Sequence, residues 1–325
     1  MTPPLITLEE HYISPHIQDE LKALGKRDPY AGFPPAALNQ LYDLGEGRVR
    51  DLDAGGIQLQ VISHSAIDGS PEAVRAANDH LAAACNKHPD RLAAFAKLPM
   101  EDPAAAAEEL ARCVRQHHFL GALINNHSNG VFYDDERFLP VFSCAEELDV
   151  PLYLHPTFAA DDAMPHYKGN FSEMAAISMS AWGWGWHSET ALHFLRLWAS
   201  GLFDKHPKLK IVLGHMGEML PYQLDRIIAG SARWCSAKRD LRTVWKENVW
   251  VTMSGMFSQA PLACLLKACS IDRIMYSVDY PQSKNEAGLA FIKEIEKEGI
   301  LSEEDLDAVC WANAEKLLKI KAIHN

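Results

Sequence analysis

Leu5-Ile6-Thr7-Leu8-Glu9-Glu10-His11 is an apolar, β-leaning run that ends in a carboxylate and an imidazole two residues apart. Side chains alternate along a strand, so Glu9 and His11 project to one side and Glu10 to the other. A Glu and a His leaving a strand together suit a divalent metal or an acid/base pair. The pattern recurs along the chain. Apolar runs at 59–63, 91–96, 120–125, 150–155, 209–214, 248–253 and 273–278 read as seven further strands. Between them lie stretches of helical periodicity at 71–88, 103–117, 134–147, 188–204, 218–230 and 258–269, and helices 286–298 and 303–318 close the chain. Pro103 behind the cap candidate Asp102 opens the second of these helices.

Continuous apolar strands are those buried on both faces, and strict β/α alternation makes the sheet parallel. Eight units predict closure into a (β/α)8 TIM barrel. The chain has 325 residues, more than the ~250 typical of that fold. The excess falls in inserts after strand 1 (residues 12–37, read as irregular) and strand 5 (residues 156–186). Residues 38–54 read as two short helical pieces, split at Gly45 and Gly47 and stopped by Gly55-Gly56. No repeat or linker marks a second domain, so residues 1–325 are expected to form one barrel domain. An open doubly wound sheet is the structural alternative, but no Gly-x-Gly-x-x-Gly follows the first strand.

The formal net charge is −12 and the pI about 5.7, which offers no basic footprint for nucleic acid or an anionic membrane. No apolar run approaches the ~18 residues of a membrane span, and the amino-terminal stretch lacks a leader's basic region. Seven scattered cysteines, without a Cys-x-x-Cys pair, read as reduced thiols of a cytoplasmic protein.

In such barrels the carboxyl ends of the strands converge on one face, where active sites lie. Here those ends carry Glu9 and His11, His155, His215 and Asp279. Two His with Glu and Asp form an N/O ligand set for zinc, or for the harder manganese or magnesium. His215 is either a further ligand or a base beside the metal, and Glu218, one helical turn on, is placed to orient its ring.

The segments around these residues, Leu8-Glu9-Glu10-His11, Tyr153-Leu154-His155-Pro156, Leu213-Gly214-His215-Met216-Gly217-Glu218 and Tyr276-Ser277-Val278-Asp279-Tyr280-Pro281, resemble the metal-dependent decarboxylases of the amidohydrolase superfamily. That branch contains the aminocarboxymuconate-semialdehyde, γ-resorcylate, 2,3-dihydroxybenzoate and 5-carboxyvanillate decarboxylases. The likeness runs nearly end to end, through Phe95-Ala96-Lys97-Leu98-Pro99 and Ser200-Gly201-Leu202-Phe203-Asp204. It implies the barrel independently. It also implies Glu9, His11, His155 and Asp279 as metal ligands, and Asp279 and His215, supported by Glu218, as catalytic residues. Arg226 matches a position of the substrate-carboxylate region. Hydrolytic members commonly open with His-x-His; Glu9-Glu10-His11 departs from that and ties this chain to the decarboxylases.

The resemblance implies non-oxidative removal of CO2 from an ortho-hydroxylated aromatic acid, with one divalent metal, zinc first, and no organic cofactor. The alternative is a metal-dependent hydrolase or lactonase of the same superfamily. Asn125 and His127, in Asn125-Asn126-His127-Ser128-Asn129-Gly130, look closer to the carboxyvanillate enzyme. Trp184 and Trp186, in Trp182-Gly183-Trp184-Gly185-Trp186, are placed to wall a flat ring. Tyr12, Tyr30 and Phe33 of the first insert are candidates for its other side. The expected partner is a small aromatic carboxylic acid, and the family suggests a homodimer or homotetramer.

Overall fold

Residues 3–321 are described by a computed structural model; residues 1–2, which begin the amino-terminal stretch, and residues 322–325 lie outside the described residues. The strands are β1 (Leu5–Tyr12), β2 (Ile57–His64), β3 (Leu92–Ala94), β4 (Ala96–Lys97), β5 (Ala122–Asn125), β6 (Pro151–His155), β7 (Lys210–Leu213), β8 (Val249–Thr252) and β9 (Ile274–Met275). All paired strands are parallel, in the orders β1-β2-β3 and β4-β5-β6-β7-β8-β9. β3 and β4 are two halves of one barrel position, joined through Phe95, whose N–H donates to the Ile62 carbonyl at 2.9 Å. Each of the eight strand positions follows the sequence expectation.

The ring closes between its first and last members. A parallel bridge pairs Glu10 with Tyr280, and the His11 N–H donates to the Tyr280 carbonyl at 2.7 Å. The Glu10 carboxylate reinforces this seam. It accepts from Ser277 Oγ and the Val278 N–H, both at 2.9 Å, and from the Tyr280 N–H at 2.8 Å.

Packing divides into layers. Ile6, Leu8, Val61, Phe95, Leu123, Tyr153, Val212 and Met275 fill the barrel, and Leu317 and Leu318 of the last helix pack against them. A larger apolar layer lies between the strands and the surrounding helices. A third cluster, including Ile13, Ile17, Tyr30, Leu41 and Val74, sits under the insert after β1.

The inserts are more ordered than the sequence suggests. Residues 12–37 contain a helix at Pro15–Ala23, capped by Ser14 Oγ accepting from the His16 N–H at 3.3 Å. Pro15, at its first helical position, is an N1 proline. Two pieces follow, Pro35–Tyr42 and Glu46–Ala54; the first starts before residue 38, and the break falls at 43–45 with Gly45 as the cap, while Gly47 lies inside the second helix. The insert after β6 holds short helices at Met164–Tyr167 and Glu173–Ser180. The predicted helix 188–204 starts earlier, at Gly185, and breaks before Leu202, where Gly201 takes φ +77°. The last predicted helix, 303–318, carries a π turn at Ala308–Ala312. Among the described residues no helix is long and apolar enough to cross a membrane.

Candidate active site

Glu9 owes its position to a β-bulge. Ile6 and Leu8 point into the barrel, so unbroken alternation would bring Glu10 inward. The pairing of β1 with β2 slips between Thr7 and Glu10. The N–H groups of Leu8 and Glu9 both donate to Ser277 Oγ, at 2.9 and 2.7 Å. The extra residue turns Glu9 and His11 toward the mouth and sends Glu10 to the seam.

At that mouth Glu9, His11, His155 and Asp279 bring one ligand-type atom each to within 4.8 Å of one another, and all four are buried. His11 Nε2 lies 3.1 Å from Asp279 Oδ1, and His155 Nε2 lies 3.3 Å from Glu9 Oε1. Glu9 Oε1 and His11 Nε2 are nevertheless buried without a hydrogen bond. A buried carboxylate oxygen facing bare imidazole nitrogens is costly unless a cation is shared among them. Burial, with Asp279 adding to it, raises the Glu9 carboxyl above its usual range against the pull of His215 and His11. Burial also pushes the His155 imidazole well below its usual range, which keeps it neutral with a lone pair to offer. The donor set therefore fits a divalent metal.

A polar shell orients these groups. The Tyr153 hydroxyl donates to Glu9 Oε2 and lies 2.6 Å from Thr252 Oγ1, which in turn lies 2.6 Å from Ser254 Oγ. Burial, with Glu9 alongside, holds the Tyr153 hydroxyl well above its usual range, so it remains a donor. Gly214 has no side chain where space is shortest: a Cβ there would lie 2.5 Å from Glu9 Oε2. Arg48, fully buried, donates to the His11 carbonyl at 2.5 Å and to Gln60 Oε1 at 2.9 Å. Sequence reasoning passed over Arg48; an arginine inside a short helix carries no signal of what its head reaches.

His215 stands beside the four. Its Nε2 is 3.6 Å from Asp279 Oδ2 and its Nδ1 is 2.7 Å from Glu218 Oε1. Burial alone would discharge the ring; Glu9, Glu218 and Asp279 outweigh it and hold the imidazole well above its usual range. Glu218, also buried, is held below the usual carboxylate range by His215 and His187 against the effect of burial. The backbone here is unusual. His215, Met216, Gly217, Glu218 and Met219 all have positive φ, from 48° to 90°. A left-handed turn costs about 1–2 kcal/mol per non-glycine residue, so its contacts must hold it in place.

The mouth opens into a cavity of ≈ 290 Å³ lined by Phe33, Trp182, Trp186, His187, His215 and Asp279 among others. Of the sequence candidates, the structure places Trp186 and Phe33 on this cavity. Trp184 caps the helix Gly185–Ala199 and is 54 % exposed, and Trp182 takes the place on the wall. Asn125 pairs with His155 in the sheet and donates to Asp68 Oδ1 at 2.8 Å. His127 accepts from the Gly130 N–H at 3.2 Å and faces Glu189 at 3.5 Å, outside this cavity. Tyr12 points away, donating to the Ala77 carbonyl at 2.7 Å, and Tyr30 packs on Phe33 from behind, 4.9 Å between rings. Arg226 is exposed on the helix Leu220–Ser231 and does not line the cavity. Sequence reasoning missed His187, whose only signal was its place after the tryptophan run.

Residues 27–320 match the family model described as Amidohydrolase. Decarboxylase orsB of Emericella nidulans is 48 % identical over 98 % of this chain and 98 % of its own. Gamma-resorcylate decarboxylase of a Rhizobium species is 38 % identical, covering 85 % of this chain and 87 % of its own. The crystal structure of dihydroxybenzoic acid decarboxylase from a Polaromonas species, with bound manganese and the inhibitor 2-nitroresorcinol, superposes with a TM-score of 0.85. It is 35 % identical over 98 % of this chain and 97 % of that one.

Proposed function

The chain belongs to the amidohydrolase family, among its metal-dependent decarboxylases, and from that premise we propose that it releases CO2 from an ortho-hydroxylated aromatic acid of the dihydroxybenzoate kind. The observation that carries this reading is the convergence of Glu9, His11, His155 and Asp279 within 4.8 Å at a cavity walled by aromatic rings. A cavity of about 150 Å³ admits benzene. The ≈ 290 Å³ here has room for a ring with its carboxylate and hydroxyls.

Glu9, His11, His155 and Asp279 would hold the metal. A divalent cation held there would supply positive charge that orients an anionic substrate and offsets its changing charge. CO2 does not leave an aromatic carbon directly, because the electron pair has nowhere to go. Asp279, ionised beside His11 and His215, first takes a proton from the His215 imidazolium and gives it to the carboxylate-bearing carbon while the ring oxygen pushes electrons in, and the ring becomes dienone-like. The carbon–carboxylate bond then breaks, its electron pair restores the aromatic ring, and CO2 departs. The proton stays as the new C–H, so each turnover consumes one proton from solvent. His215, 3.6 Å from Asp279, supplies that proton, and Glu218 fixes the His215 ring from the far side. Phe33 and Trp186 wall the ring. Asn125 and His127, engaged with Asp68 and Gly130, are outside the cavity lining and have no part in this reading. Arg226 and Trp184 have no part in this reading within one chain.

Zinc and manganese both suit two carboxylates and two imidazoles. Manganese, present in the Polaromonas relative, is tested beside zinc. Exposed Trp184, Tyr222 and Trp234 support a homodimer or homotetramer, which light scattering measures. Seven free cysteines support a cytoplasmic setting. The reading is tested with a panel of ortho-hydroxybenzoates, assaying CO2 and ring-opened acid on samples of measured metal content. CO2 from a dihydroxybenzoate is the expected result; hydrolysis without CO2 would move the protein to the lactonase class.

A further inference from the structure

The His187 side chain is tied down on one edge and open on the other. It sits in the first turn of the helix Gly185–Ala199, directly after Trp186. Its Nδ1 lies 2.8 Å from Glu218 Oε2, while His215 Nδ1 takes the other oxygen at 2.7 Å. An ionised carboxylate only accepts, so Nδ1 of each ring carries the hydrogen. In its neutral form the His187 ring then presents Nε2 as a lone-pair acceptor. Among the described residues the His187 side chain makes one hydrogen bond, the one from Nδ1 to Glu218, and Nε2 makes none. The ring stands edge-on to His215, 4.7 Å between centroids, and lines the same cavity as Asp279. The cavity wall thus holds an oriented acceptor beside the reacting group, with no donor of its own to satisfy it.

We propose that His187 is a substrate-binding residue that accepts a hydrogen bond from a second ring hydroxyl and so selects dihydroxylated acids over monohydroxylated ones. This rests on the decarboxylase reading, in which the first hydroxyl and the carboxylate are gathered at Glu9, His11, His155 and Asp279. A second hydroxyl then needs an acceptor on the wall, and a methyl ether or a bare C–H at that position would leave Nε2 unpartnered. An unmet buried acceptor weakens binding by about 10- to 100-fold.

Two substitutions separate this role from support of Glu218. His187→Asn keeps an amide N–H near the Nδ1 position and removes the group at Nε2. His187→Gln does the reverse, placing an amide oxygen near Nε2. Binding is measured on the metal-loaded protein by quenching of tryptophan fluorescence, with 2-nitroresorcinol and 2-nitrophenol, which differ by one hydroxyl and release no CO2. The unaltered protein is expected to prefer 2-nitroresorcinol by about 10- to 100-fold, His187→Asn to lose that preference, and His187→Gln to keep part of it. An equal loss of affinity for both ligands in His187→Asn, or no preference in the unaltered protein, overturns the proposal. The kcat/KM ratio of 2,6-dihydroxybenzoate to 2-hydroxybenzoate gives a second readout. If CO2 is released and that ratio is the same in His187→Asn, this inference fails and the decarboxylase reading stands. If no acid releases CO2 but the binding preference follows His187, the reverse holds.

Discussion

The amide of Asp279 donates to the carbonyl of Glu9 at 2.9 Å, so the outermost members of the ligand set in sequence are hydrogen-bonded neighbours in space. Closing the barrel and assembling the site are therefore one event. A slip at the seam between β1 and the segment 276–280 would move a carboxylate of the site by the same amount.

Glu10→Gln tests that coupling. The carboxylate accepts three hydrogen bonds from Ser277, Val278 and Tyr280, and an amide turns one acceptor into a donor facing donors. We expect a loss of roughly 1–3 kcal/mol in denaturant unfolding, with reduced metal content in the purified protein, although Glu10 touches no metal. Unchanged stability and metal content would show that the seam does not position the site.

Asp279→Asn removes the proposed proton donor but leaves an oxygen beside His11. CO2 release should fall by about 10²–10⁴-fold while metal, measured by elemental analysis, remains bound. Near-normal turnover would assign the proton to another group.

Gly214→Ala is a test of space. The backbone there, φ −79° and ψ −172°, admits alanine, but the Cβ would lie 2.5 and 2.9 Å from the Glu9 oxygens and 3.0 Å from the Tyr153 hydroxyl. Glu9 has to move, and metal affinity should drop about 10- to 100-fold, the range found when a supporting group is disturbed. Competition with a chromophoric chelator measures it; an unaltered affinity would mean that Glu9 does not bind the ion.

His64, at the end of β2, gives a pH signature in stability. Burial, with Lys97 adding to it, lowers its imidazole from 6.5 to about 3, and the ring accepts from the Ser14 N–H and contacts the Ser65 carbonyl, both at 2.9 Å. The unfolded chain binds this proton more readily. The contribution of His64 is therefore complete above pH 6.5 and is lost as pH falls toward 3, at about 1.4 kcal/mol per unit. Denaturant curves for His64→Gln should show a shallower loss between pH 6.5 and 4 than the unaltered protein; parallel slopes would contradict the assignment.

Much of this was readable in advance, for physical reasons. Eight apolar runs alternating with helical periodicity call for a parallel sheet covered on both faces, and eight units favour its closure into a barrel whose strand ends converge. What alternation could not supply was phase. Ile6 and Leu8 inward argue for Glu10 at the mouth; the bulge held by Ser277 Oγ reverses this, and a bulge leaves no mark in a hydrophobic pattern. Residues 12–37 read as irregular because a proline at N1, as at Pro15 and Pro35, and a proline in a turn look alike without the cap in view. Trp182 and Trp184 were indistinguishable by composition, and only the start of the helix at Gly185 decides which faces the cavity. Arg48 and His187 act through long-range contacts, to His11 and to Glu218, that local sequence does not encode.

The left-handed run from His215 to Met219 has a bearing on attempts to make this protein hardier. Glycine at Met219, which is 37 % exposed, would relieve backbone tension and register in a thermal screen as a gain of the order of 1 kcal/mol, whereas Met216 is buried in the core and its removal would cost more than the relief returns. The same relief frees the segment to drift, taking His215 away from Asp279. Heat resistance and turnover should therefore part company at Met219, and a selection for melting temperature alone would favour a variant less able to work.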